Sequence, residues 1–143
     1  MSENNPIRIF VTRTFSDHAD YARVFEYLES SSNFYYKNCS APTRVPASGG
    51  KEALKEELRT QIQDAEIVLL PASMYADASD WIQYQMIAAQ EMNIPIVALE
   101  IFGGAGEVQP EIAKRVSGTV GWNERLIVDA VHQHDARRGY DAV

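Results

Sequence analysis

The chain has 143 residues, 45% of them hydrophobic and 23% charged, with 20 acidic side chains against 13 basic ones and a formal net charge of −7. That length fits one domain, 1–143, with a single substantial core, and the acidic balance argues against a nucleic-acid or anionic-membrane surface. Cys39 is the only cysteine, which excludes an internal disulfide and a thiolate metal cluster. The opening MSENNPIRIF is not a secretory signal, because no long apolar run follows a charged segment. No apolar stretch approaches the roughly 20 residues needed to span a bilayer. A cytoplasmic location is expected.

The first strand is predicted at IRIFVT, residues 7–12, apolar enough to be buried. A helix follows, with Tyr21, Val24, Phe25 and Leu28 at helical spacing and Ser16 or Asp17 as its cap. NFYYKNC, residues 33–39, has strand composition and runs into SAPTRVPASGG, a loop rich in Pro, Ser and Gly. Leu54, Leu58, Ile62 and Ala65 form one face of a second helix. EIVLLPAS is a short strand covered on both faces, and DWIQYQMIAAQE, residues 80–91, is an amphipathic helix. IPIVALEIF is the fourth strand candidate, followed by the flexible loop GGAGEV. PEIAKRV is a short helix, SGTVGW an edge strand and NERLIVDAVHQH a closing helix capped by Asn123. The tail, 135–143, has no apolar period and is expected to fray.

Strand and helix alternate about five times with no hairpin signal, the pattern of a parallel sheet with helices on both faces. The expected architecture is a flavodoxin-like three-layer α/β sandwich. Such sheets bind ligands beyond the carboxyl ends of their strands, at a topological switch point. Functional side chains are therefore sought in the loops 12–18, 39–50, 72–80 and 100–109.

Neither a G-x-G-x-x-G fingerprint after the first strand nor a G-x-x-x-x-G-K-[ST] loop is present. GGAG at 103–106 reads as a flexible loop, and SGGK at 48–51 as a plain helix start rather than an anion site. His132 and His134 are two apart and face different ways on a helix, His18 is distant, and all three read as surface residues, so no metal is expected. Cys39 reads as a packed small hydrophobe and not a nucleophile. The loop after the first strand is richer. Arg13 there can pair with a diphosphate and Phe15 can stack on a base or sugar, with Arg44 as a second phosphate partner.

From Lys51 to Phe102 the chain resembles the core of a TIR domain. That family runs a polar helix, an apolar strand, S-P-x-Y-x-x-S-x-W-x-x-x-E, a helix and a strand containing Pro-Ile. Here LRTQIQDAEIVLLPASMYADASDWIQYQ leads to NIPIVAL, with Ser73, Ser79 and Trp81 in register and Ala76 in place of the tyrosine, Tyr75 standing one position earlier. RIFVTRTFSD is similar to the family's opening strand and loop, with Thr12 and Arg13 where Ser and an aromatic are common, and VSGTVGW to its late aromatic motif. The resemblance covers about 6–132 and fades at 40–50.

The resemblance implies a TIR fold and an NAD+ substrate cleaved at the nicotinamide–ribose bond. A stand-alone chain of this size is similar to the signal-producing TIR protein of the Thoeris antiphage system, whose product diffuses to a separate effector. Homo-oligomers in which neighbours complete each site are also implied. Carried onto this sequence, the nucleotide pocket draws on Thr12, Arg13, Phe15, Asn38, Ser40, Arg44, Ser73, Tyr75, Trp81 and Tyr84.

The family's catalytic glutamate falls on Gln85, four residues after Trp81 and therefore on the same helical face. A carboxylate there would stabilise the oxocarbenium character that builds on the ribose as nicotinamide leaves. An amide keeps the shape without the charge, a loss on the order of 10²–10³-fold in rate. Gln85 is thus an engineered isosteric knockout that lets NAD+ bind without being consumed, a natural feature of a binding or scaffolding TIR, or a sign that Asp80 or Glu91 supplies the acid. Two further readings stand beside the enzyme: a non-catalytic TIR adaptor, and a nucleoside deoxyribosyltransferase-like protein that shares the sheet and a carboxylate at a glycosidic bond.

Overall fold

A computed structural model describes residues 1–15, 18–40, 48–104 and 108–136. The elements run β1 (Ile7–Val11), α1 (Ala19–Glu29), β2 (Tyr36–Asn38), α2 (Gly50–Gln63), β3 (Ile67–Pro71), α3 (Ser73–Glu91), β4 (Ile96–Leu99), α4 (Pro110–Ala113), β5 (Gly118–Val120) and α5 (Glu124–His134). The five strands form one sheet in the order β2-β1-β3-β4-β5, parallel at every pairing. Chain order reverses between β1 and β3, which makes their carboxyl ends the switch point.

Period-two alternation divides the core between the two faces of the sheet. Phe10, Val68, Leu70, Ile96 and Ala98 pack with Leu58, Ile62, Ile82 and Met86 of α2 and α3. Ile9, Val11, Ile67, Leu69, Val97 and Leu99 point the other way, onto Val24 and Leu28 of α1 and Ile127 and Val131 of α5. With both faces covered, β3 and β4 are buried at every position, which is why their sequences show no alternation of polarity. No helix among the described residues is long and apolar enough to cross a membrane.

The helix ends are set by local chemistry. Asn123 caps α5 as expected, its Oδ1 accepting the Leu126 N–H at 3.0 Å. The expected cap residues of α1, Ser16 and Asp17, lie outside the described residues; His18 stands at the cap position, where its Nδ1 accepts the Asp20 N–H at 3.1 Å. At the end of α3, Asn93 takes a left-handed φ of 59° and the Ile94 N–H reaches back to the Ala89 carbonyl at 2.9 Å, a tight stop that asparagine tolerates. Two sequence expectations need correction here. Residues 73–80 are not a loop: α3 begins at Ser73, directly after β3, and is interrupted only at Ala78 (φ −152°, ψ 56°). His18 is not simply a surface residue, since capping through Nδ1 leaves its proton on Nε2, which lies 2.9 Å from Asp77 Oδ2 and ties the start of α1 to the first segment of α3.

Candidate functional site

Beyond β1 the backbone continues as Thr12, Arg13, Thr14 and Phe15. The Thr12 N–H still pairs with the Leu69 carbonyl at 3.1 Å, so the ladder to β3 extends one residue past the strand. β3 then turns into α3 at Ser73, and Gln85 of that helix reaches the Arg13 peptide. Its Oε1 accepts the Arg13 N–H at 2.8 Å and its Nε2 donates to the Arg13 carbonyl at 2.8 Å and to the Trp81 carbonyl at 2.9 Å. The side-chain amide thereby exchanges both bonds with one residue, as opposed residues of an antiparallel ladder do. Gln85 is completely buried.

Above this clamp sits an aromatic and cationic stack. The Phe15 and Trp81 rings meet edge to face with centroids 4.7 Å apart, and the Arg13 guanidinium lies 4.8 Å from the Phe15 centroid. Burial pulls the Arg13 pKa down from its usual value, with Tyr21 and Glu57 opposing the shift. Phe15 adopts φ 64°, a left-handed conformation uncommon for a bulky side chain.

On the far side of Trp81 an open cleft of about 640 Å³ separates the first turns of α2 from α3. Lys51 and Lys55 line one wall, four residues apart and so on one helical face. Asp77, Asp80, Trp81, Gln83 and Tyr84 line the other. Tyr84 donates its hydroxyl to the Lys55 carbonyl at 3.2 Å, and Lys55 Nζ lies 5.5 Å from the Tyr84 ring centroid. The lysines reach this wall because α2 starts sharply at Gly49, whose φ of +98° suits glycine; a Cβ there would come within 2.6 Å of the Ala53 Cβ.

The residues nominated from sequence divide into three groups. Trp81 and Tyr84 line the cleft, with Phe15 packed on the back of Trp81. Others are engaged internally. Thr12 is buried with its hydroxyl on Met74 Sδ, Ser73 donates to Asp20, and the Tyr75 hydroxyl accepts from Gln83 Nε2 at 2.7 Å. Buried Ser40 and exposed Asn38 close a hydrogen-bonded knot with the Tyr21 hydroxyl at the end of β2. Arg44 lies outside the described residues. Gln85 stands behind Trp81 and does not line the cleft. Of the two alternative acids, Asp80 lines the cleft, whereas Glu91 closes the opposite end of α3 and pairs with Arg59. The sequence reading of SGGK as a plain helix start passes over the lysine wall, although Lys51 and Lys55 at i, i+4 beside the glycine pair signal it.

No group of three or more His, Cys, Asp or Glu that would hold a metal occurs among the described residues. Burial and the nearby Asp64 push the Cys39 thiol above its usual pKa, against a nucleophilic role.

A five-stranded parallel sheet of order 2-1-3-4-5, with its aromatic wall on the helix after β3, defines a TIR-like α/β domain. The model of the family described as Thoeris protein ThsB, TIR-like domain, matches residues 10–104, from β1 through the loop after β4, and the chain belongs to that family. It is a TIR-domain protein of antiphage defence. No curated protein matches it.

Proposed function

We propose that the cleft between α2 and α3 binds an NAD-type dinucleotide, and that the domain holds this ligand far better than it hydrolyses it. One observation carries the reading: the cleft presents both signs of charge around two aromatic rings. Lys51 and Lys55 suit a diphosphate, Trp81 and Tyr84 suit flat heterocycles, and Asp77 and Asp80 suit a cationic pyridinium. NAD+ carries all three features in one molecule. Slow turnover follows from position 85, where a neutral amide stands in place of a carboxylate and is already committed to backbone partners.

Calorimetric titration with NAD+ and ADP-ribose tests the reading, with chromatography of the same mixtures. Saturable heat is expected for both ligands, about tenfold weaker in a Lys51→Ala, Lys55→Ala double variant, and NAD+ stays largely intact. A flat titration with both ligands removes the binding reading. Rapid release of nicotinamide removes the slow-turnover reading and points to Asp80 as the acid.

The non-catalytic adaptor stands as the second reading. It is favoured by the complete burial of Gln85, and it predicts self-association with no response to either ligand.

A further inference from the structure

Gln85 offers two N–H donors and one acceptor oxygen, and the three groups around it ask for that inventory. Arg13 presents one N–H, while the Arg13 and Trp81 carbonyls present two acceptors at 2.8 and 2.9 Å. A glutamate side chain of nearly the same shape does not match. Ionised, it has no donor and sets a negative oxygen against two carbonyl oxygens in a fully buried place. Neutral, it has a single proton to share between them.

We infer that Gln85 is a positioning residue in its own right: the amide anchors the Arg13 peptide just past the end of the sheet, fixes the loop of Arg13 and Phe15 against Trp81, and cannot be exchanged for the family's carboxylate without loss. The anchored peptide of Arg13 lies one residue beyond the ladder to β3 and two before Phe15, whose ring braces the back of Trp81. The clamp therefore sets the aromatic wall of the cleft. Only this last consequence rests on the proposed function, since the clamp itself involves no ligand.

The role fixes a sign that mere bulk or polarity would not. In Gln85→Glu the folded protein favours the neutral acid, so the folded pKa is raised above the usual value of about 4.3. Both states are neutral at pH below about 4, and the variant is then closest to the parent. As pH rises, the unfolded chain ionises first, and the variant loses stability until the folded pKa is passed. Gln85→Met removes the same bonds without a titrating group, so its deficit should stay flat with pH.

The test compares unfolding midpoints of the parent, Gln85→Glu and Gln85→Met from pH 4 to pH 8. It adds native-state hydrogen exchange on the unmodified protein, which needs no variant to fold. The expected results are a Gln85→Glu deficit that widens with pH, a flat Gln85→Met deficit, and Arg13 N–H protection on the order of 100-fold or more. A Gln85→Glu variant as stable as the parent at pH 8, or an unprotected Arg13 N–H, overturns the inference. None of these measurements uses a nucleotide, so a flat NAD+ titration would remove the proposed function and leave the clamp standing.

Discussion

Gln85 and Arg13 are 72 residues apart in sequence and pair through two hydrogen bonds of 2.8 Å, side-chain amide to backbone amide, in a completely buried place. This pairing anchors the backbone one residue past the point where β1 and β3 part. It ties the loop that carries Phe15 to α3, and through the Phe15 ring to Trp81 on the same helix.

Replacing Gln85 with methionine takes the side-chain partner from the buried N–H and carbonyl of Arg13, while the Trp81 carbonyl keeps its place in the helical ladder of α3. Each such group costs about 1–3 kcal/mol, partly recovered by water entry or relaxation, so a net loss of about 2–4 kcal/mol is expected. Urea unfolding at neutral pH reads it directly.

Phe15 offers a separation of ring and backbone effects. Phe15→Ala and Phe15→Gly both remove the contact with Trp81, but only glycine relaxes the left-handed φ of 64°. The glycine variant should be the more stable of the two by about 1 kcal/mol. Equal stabilities would mean that the backbone at Phe15 carries no strain.

How much of this was legible in the sequence depends on which physical signal each feature leaves. The five-strand alternation, the Asn123 cap and the placement of Trp81, Tyr84 and Gln85 on one helix all follow from periodicity and spacing. The interruption at Ala78 left no mark, because Ala-Asp-Ala-Ser contains neither glycine nor proline. The His18 cap was missed because histidine is not a usual N-cap, and the flanking Ser16 and Asp17 are stronger candidates by type. The role of Gln85 was the least legible. Sequence register identifies which position it fills, but its hydrogen-bond partners lie on the backbone of a loop 72 residues away, and backbone groups have no sequence signature.

Gly49→Ala tests how the lysine wall is held. The added Cβ meets Ala53 at 2.6 Å and the residue must keep φ +98°, so a loss of about 1–3 kcal/mol is expected, concentrated in the first turns of α2. Hydrogen exchange should show the amides of residues 50–55 opening before those of Leu58 and Ile62. Uniform loss across α2 would place the effect elsewhere.

Cys39 gives a pH prediction with a defined sign. Burial favours the neutral thiol, so the folded pKa is raised and the thiol contributes stability below its unfolded value of about 8.5 that is lost as pH climbs above it. At pH 8 the folded protein should alkylate with iodoacetamide more slowly than the urea-unfolded chain. A faster reaction in the folded state would contradict the burial of this thiol.

The two tryptophans allow the central claim, a dinucleotide held against Trp81, to be tested in place. Trp122 sits away from the cleft, with its Nε1–H on the Glu100 carbonyl at 2.6 Å. Titrating ADP-ribose into Trp122→Phe, where Trp81 is the remaining tryptophan, should give a saturable change in its fluorescence. Titrating it into Trp81→Phe, where Trp122 remains, should give none. An unchanged Trp81 signal at saturating ligand, or a change confined to Trp122, would contradict the account.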